Sequence, residues 1–228
     1  DGDGMKKNDI FLGIYLLAAV VFLIIPIPST MLDWLILFNI SMSLIIVFNC
    51  LFTSETLNMS GFPTLLLFTT VFRISLNVSS TRLILSTGNP GKVVQVFGSF
   101  VGGGNLVIGA IVFIVLIIVQ MMVINKGSER VSEVTARFTL DAMPAIDADL
   151  SSGAIDDKEA IRRRDKIQQE SAFFGAMDGA SKYVKGDATA GLIITLINIV
   201  GGLIMGMTQQ GLSFSDAISK YTILTIGD

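Results

Sequence analysis

The chain has 228 residues, with 16 Lys/Arg against 19 Asp/Glu for a net charge of −3, and only 15% of it is charged where a soluble domain carries about 25%. A hydrophobic content of 51%, a mean hydropathy of +0.70 and apolar runs near twenty residues point to an all-α polytopic membrane protein. No basic face is offered to nucleic acid, and the absence of His, with a single Cys inside an apolar run (Cys50), excludes His-based acid/base chemistry, an ordinary zinc site and an intrachain disulfide.

Asp1-Gly2-Asp3-Gly4 precede Met5, which reads as the start residue, so the first four residues read as an appended remnant. Lys6 and Lys7 stand before the first apolar run, as in a signal peptide. That run ends in Pro26-Ile27-Pro28 without a small-x-small cleavage pattern, and more spans follow, so it reads as a retained helix. Five full spans are expected, over residues 10–25, 31–52, 62–85, 106–124 and 188–207, each long enough or nearly so to cross about 30 Å of hydrocarbon. The Pro26/Pro28 pair ends the first, Pro63 sits in the first turn of the third, and Gly88-Asn89-Pro90-Gly91 is a turn in a loop over 86–100. A sixth apolar run, from Ala217 to Asp228, is too short to span, so the chain reads as a fragment cut inside a membrane helix. The expected organisation is a leader and tail (1–9), transmembrane helices one to four (10–125), a charged helical loop (126–187), and helix five with the start of helix six (188–228).

Orientation follows from the positive charges. Ten of the sixteen Lys/Arg fall within 126–187, two at the N-terminus and one, Lys92, in the 86–100 loop. The positive-inside rule places the N-terminus and the 126–187 loop in the cytoplasm, and four spans between them agree in parity.

Arg73 lies in the middle of the third span. An Arg there is costly in lipid and must face protein or water. Asn77 and Ser80 share its face, and no acid in that span can pair with it. The two readings are a buried structural pair and the lining of a conducting path. Arg82, half a turn off that face near the far end, can snorkel. Asp33 can cap the second span. Gly98, Gly102, Gly103, Gly104 and Gly109, and later Gly201, Gly202 and Gly206, are small-residue sets for close helix packing.

The 126–187 stretch also holds twelve of the nineteen acids. Lys126, Arg130, Glu133, Arg137 and Asp141 fall on one helical face, so span four is expected to run on as a mixed-charge ladder until Pro144 stops it. A second helix is expected from Asp156 to Met177, with Asp156 and Glu159 as a capping box; Ala160, Ile167, Ser171 and Phe174 form a contact stripe. The basic triplet Arg162-Arg163-Arg164 reads as topological retention or anionic-lipid contact. Asp187, the last charge before span five, is either that helix's N-cap or a proton-exchanging carboxylate at the membrane edge, near Lys182 and Lys185.

Residues 130–144, Arg-Val-Ser-Glu-Val-Thr-Ala-Arg-Phe-Thr-Leu-Asp-Ala-Met-Pro, resemble the signature of the type III secretion export-gate family, FHIPEP, and Ile146-Asp147-Ala148-Asp149 resembles its second part. Pro63–Leu67, Phe72-Arg73, Asn77–Arg82, Gly91–Val94, Phe97–Val101, Gly103–Asn105, Met177–Lys182, Lys185–Asp187 and Leu224–Asp228 also fit. The resemblance covers nearly all of residues 6–228, with wording at 76–105 and 173–187 nearer the flagellar members than the injectisome ones. The pattern's Gly-Lys-Gln-Met is absent between Pro144 and Ala145, and the family continues beyond this chain into a large cytoplasmic domain.

The resemblance implies an inner-membrane, multi-pass export gate of the flagellar type III apparatus, coupling proton or cation flow to protein secretion. It also implies a homo-nonameric ring, other export-apparatus membrane proteins and the bilayer as partners, and export chaperone–substrate complexes docking through the further domain. No enzyme activity, catalytic residue, cofactor or metal is implied. Carried over by motif, the functional charges are Arg130, Arg137 and Asp141, then Asp178, Lys182, Lys185 and Asp187, with Arg73 and Arg82 as intramembrane positives. Glu133, Phe138, Leu140, Pro144, Ile146, Asp147 and Asp149 complete the signature. The alternatives are an injectisome gate or an ion-coupled small-molecule transporter, though no repeat of the kind transporters show is visible. An intramembrane protease lacks a second mid-span Asp.

Overall fold

The computed structural model describes residues 7–54 and 56–228; the leader, Met5 and Lys6 lie outside the described residues. Every regular element among the described residues is helical, as the composition requires. The helices are α1 (Lys7–Ile24), α2 (Ser29–Phe52), α3 (Phe62–Thr87), α4 (Lys92–Gly102), α5 (Leu106–Ile118), α6 (Lys126–Asp141), α7 (Met143–Ser151), α8 (Asp157–Thr208) and α9 (Phe214–Gly227). A 3₁₀ turn (Thr56–Met59) precedes α3, and a π-helical stretch (Val119–Asn125) lies between α5 and α6. Four helical stretches are long and apolar enough to cross a membrane: Ser29–Phe52, Leu57–Thr87, Leu106–Ser151 and Asp157–Thr208. Gly13–Ile24 and α4 are shorter apolar helices. The protein is an all-α membrane protein.

Three elements depart from the sequence expectation. Residues 92–102 are a helix, not loop. Asp33 of α2 accepts hydrogen bonds from the backbone N–H of Lys92 and Val93, each at 2.9 Å. It therefore caps α4 rather than α2, placing a carboxylate on the positive end of that helix. Gly91 (φ 122°) makes this possible, since a Cβ there would overlap the Asp33 carboxylate. Second, Asp157 to Thr208 is one uninterrupted helix. The helix expected to end at Met177 and the span expected from 188 are continuous, since no Pro lies between them and Gly179 and Gly186 each cost only about 1 kcal/mol in a helix. Third, Pro144 lies in the first turn of α7, where its missing N–H is harmless. It starts a helix as well as ending one.

The chain forms two compact units. The first comprises Asp1–Val47, Phe68–Ile118 and Asp187–Asp228. Its core buries Ile27, Leu32, Phe72 and Leu76, with Tyr15 edge-on to Phe68 at 5.9 Å between ring centroids. A second cluster joins Ile84 to Tyr221 and Leu224. The small-residue sets act as packing surfaces. A Cβ on Gly98 would overlap the carbonyl of Ile223, one on Gly227 that of Val94, and ones on Gly202 and Gly206 the ring of Tyr221. α4 and α9 thus approach at backbone distance, and the α8 glycines make room for the Tyr221 ring of α9. Gly103, with φ 53°, instead ends α4 in the left-handed conformation.

The second unit comprises Phe48–Leu67 and Val119–Gly186. In it α7 and the start of α8 form a hairpin that turns at Gly153 (φ 75°). Asp156 Oδ1 accepts the Glu159 N–H at 2.7 Å, the predicted cap. Ile146 and Ala160 are buried.

Candidate functional site

Arg73 and Asp187 meet in the first unit. Arg73 Nε donates to Asp187 Oδ2 at 2.8 Å, and a terminal guanidinium nitrogen donates to the same oxygen. The Asp187 side chain is 3% exposed and that of Arg73 40%. The acid that α3 lacks is supplied by α8, 114 residues away. Because Asp187 lies inside α8, its backbone belongs to a continuing helix and it is not an N-cap. The carboxylate's partner in the fold is an arginine. Removing Arg73 leaves a buried carboxylate uncompensated, which is costly, whereas Arg73, itself 40% exposed, can meet water when Asp187 is replaced.

Arg82 does not reach outward to an interface. Its two terminal nitrogens donate to the carbonyls of Leu23 (2.9 Å) and Ile24 (3.0 Å) at the end of α1. Ser79 Oγ donates to Phe22 O at 3.1 Å and Ser75 Oγ to Ala19 O at 2.9 Å. The reason is in the sequence. The helical partners of the Phe22 and Ile24 carbonyls would be the N–H groups of residues 26 and 28, and both are proline. Ser79 and Arg82, on one face of α3, satisfy what Pro26 and Pro28 leave open, while Ser75 on the same face adds a bond to the Ala19 carbonyl, whose helical partner is the N–H of Leu23.

The charges of the second unit sort into different pairs from those expected. Lys185 Nζ donates to Glu129 Oε2 at 2.8 Å, joining α8 to α6, and Lys182 Nζ donates to Asp178 Oδ2 at 2.7 Å along α8. The hydrogen bond that Lys182 donates to Asp178 raises the lysine's pKa above its usual value, with Glu129 and Glu133 adding to the effect. The two lysines thus have carboxylate partners other than Asp187. On α6, Arg130 pairs with Glu133 at 3.2 Å and Arg137 with Glu133 at 4.0 Å. Among the described residues Asp141 makes no ion pair, so the expected Arg137–Asp141 rung is replaced by Glu133–Arg137. The acid-before-base order at i, i+4 is the favourable one against the helix dipole, and Arg137–Asp141 is the reverse. Phe138 and Leu140 are exposed.

The basic triplet is engaged by protein. Arg162 pairs with Glu159 at 2.8 Å, Arg163 with Glu159 at 2.9 Å and with Asp149 at 3.2 Å, and Arg164 with Asp147. Asp147 and Asp149 of the signature's second part therefore fasten α7 to α8, around the buried Ile146. Hydrogen bonds from Arg162 and Arg163 lower the Glu159 pKa to about 2.

One polar group escaped the sequence reading. Asn198, fully buried in the apolar half of α8, donates from Nδ2 to Asp228 Oδ2 at 3.0 Å. A lone Asn in the run Leu-Ile-Asn-Ile-Val was the available signal. No group of three His, Cys, Asp or Glu able to hold a metal ion occurs among the described residues.

A profile of the FHIPEP family matches residues 19–228. The flagellar biosynthesis protein FlhA of Bacillus subtilis (strain 168) is 54% identical over 228 residues, covering 98% of this chain and 34% of that protein. FlhA of Salmonella typhimurium is 50% identical over 224 residues, covering 94% and 32%. The low calcium response locus protein D of Yersinia pestis is 49% identical over 227 residues, covering 98% and 32%. The chain spans about a third of the length of the curated relatives it matches. No solved structure matches it.

Proposed function

The chain belongs to the FHIPEP family, and on that footing we propose that it is the membrane part of the export gate of a bacterial flagellar type III apparatus, which couples proton flow to protein secretion. It sits in the inner membrane, with the N-terminus and residues 126–187 in the cytoplasm. Copies of the chain form a nonameric ring beside other export-apparatus membrane proteins, and chaperone–substrate complexes dock on the part of the full protein beyond residue 228. Relatives named for flagellar biosynthesis at 54% and 50% identity support the flagellar assignment. The Yersinia relative at 49% makes an injectisome gate the second reading, separated by which null strain the full-length gene restores: motility or injectisome secretion.

The observation that carries the coupling role is the Arg73–Asp187 pair: a buried carboxylate, bonded to a guanidinium that is itself 40% exposed. Such a carboxylate can trade its cation for a proton without unfolding its helix. Arg73 is then released toward the open side, and the trade reverses when the proton leaves. The charges at Arg130, Arg137, Asp141, Asp178, Lys182 and Lys185 act as the cytoplasmic surface that feeds this exchange. Asp187→Asn keeps the shape and an acceptor for Arg73 but cannot release a proton. We expect it to insert and assemble at wild-type levels while export stops; normal export by this variant would overturn the coupling role.

A further inference from the structure

The second unit holds a recess of about 280 Å³ whose lining belongs wholly to that unit. Cys50 near the end of α2, Phe62 at the start of α3, Ser132 of α6, and Phe173, Phe174 and Met177 of α8 all contribute to it. Phe173 and Phe174 meet edge to face, with ring centroids 5.4 Å apart. Aromatic rings beside a thioether suit a further flat aromatic ring. A cavity of about 150 Å³ already admits benzene, so this recess has room for a fused two-ring molecule.

The lining also carries a polar handle. Ser132 is 7% exposed. A hydroxyl within a helix can bond back to the carbonyl four residues earlier. Thr139 does so to Thr135 in α6, and Thr53, in the recess, to Asn49, each at 2.8 Å. Ser132 makes no such bond, and among the described residues its hydroxyl has no partner. A buried hydroxyl left open is costly. Water entering the recess completes the hydroxyl but leaves the rings wet. An aromatic molecule with an N–H or O–H of its own covers the rings and completes the hydroxyl together.

We propose that this recess binds a small aromatic molecule bearing one N–H or O–H group. Its rings lie against Phe62, Phe173 and Phe174, and its polar hydrogen is donated to Ser132 Oγ. Such an occupant touches α2, α3, α6 and α8 at once. It therefore ties the four together and favours the arrangement in which they converge. Cys50, a free and exposed thiol in the same lining, is shielded when the recess is filled.

That thiol supplies the test. The full-length protein in lipid nanodiscs is alkylated with N-ethylmaleimide, and the rate at Cys50 is read from its own peptide by mass spectrometry. Indole is expected to slow alkylation severalfold and saturably. Indene, which has the same two-ring frame and no N–H, should need about fivefold more for the same protection, the worth of one hydrogen bond. Ser132→Ala should bring indole to the level of indene and leave indene unchanged; the change removes one hydroxyl and little volume, so the fold is kept. An alkylation rate indifferent to indole overturns the site. So does equal protection by indole in wild type and Ser132→Ala, which marks an aromatic dissolved in the lipid beside Cys50. Indole and indene protecting wild type equally overturns it as well. No secretion is measured, so the result is separate from the export-gate reading.

Discussion

Replacing Arg82 with alanine tests the reading of the end of α1. The side chain donates two charge-assisted hydrogen bonds, at 2.9 and 3.0 Å, to the Leu23 and Ile24 carbonyls. Such bonds are worth about 1.5–3 kcal/mol each, and an acceptor stranded without a partner adds its own penalty. The bond to Leu23 is part-buried and the one to Ile24 exposed, so water can replace the second when the guanidinium is gone. The expected loss for Arg82→Ala is therefore about 2–4 kcal/mol rather than twice the full figure. Arg82→Lys is the discriminating variant. An ammonium on a flexible stem is a point donor that does not reproduce the fixed fork of the guanidinium. It should fall between wild type and alanine. Ser79→Ala, which strands only the Phe22 carbonyl, should cost less than Arg82→Ala, about 0.5–1.5 kcal/mol. Reversible unfolding in nanodiscs ranks the four proteins. Alanine as stable as wild type, or lysine no better than alanine, would refute the capping role and return Arg82 to an interfacial charge.

Two further outcomes follow from local geometry. Glu159 has its pKa lowered to about 2 from a usual 4.5, so the stability it contributes is fully present above pH 4.5 and is lost as pH falls through about 2. The difference in hairpin stability between wild type and Glu159→Gln, followed by hydrogen exchange, should therefore be level from neutral pH to about 4.5 and vanish near 2; a difference already gone at pH 5 contradicts the Arg162 and Arg163 bonds. Gly98→Ala forces a Cβ into the Ile223 carbonyl and should destabilise by about 1–3 kcal/mol or more. Gly175→Ala, with nothing within 4 Å of the added carbon, should gain about 0.5–1 kcal/mol. Thermal melts of the two variants should move in opposite directions.

What could be read from the residues alone depended on range. Apolar runs, the Asp156 cap and the need of a mid-span Arg73 for a polar partner are local matters of composition and spacing, and all are legible. The identity of that partner is not, because Asp187 is 114 residues away and equally plausible as a cap by spacing. The same holds for Asp33, which serves a helix 59 residues on whose existence the 86–100 turn signals concealed. The helix expected over 156–177 and the span expected from 188 are one helix, because no proline stands between them to stop it. On α6 the spacing predicts a ladder but not its rungs, since Glu133 has two arginines in reach and Asp141 stands on the unfavourable side of Arg137.

The contacts that finish α1 bear on how the protein is made. The carbonyls of Phe22, Leu23 and Ile24 receive their donors from residues 57 to 59 positions later. While a ribosome is still translating α2, those donors do not yet exist, and the end of α1 can settle only where water serves in their place. Arrival of α3 removes that requirement in one step, since Ser79 and Arg82 come on a single helical face. Biogenesis of this protein thus has a built-in order: the first helix is threaded early, and its seat is closed by the third.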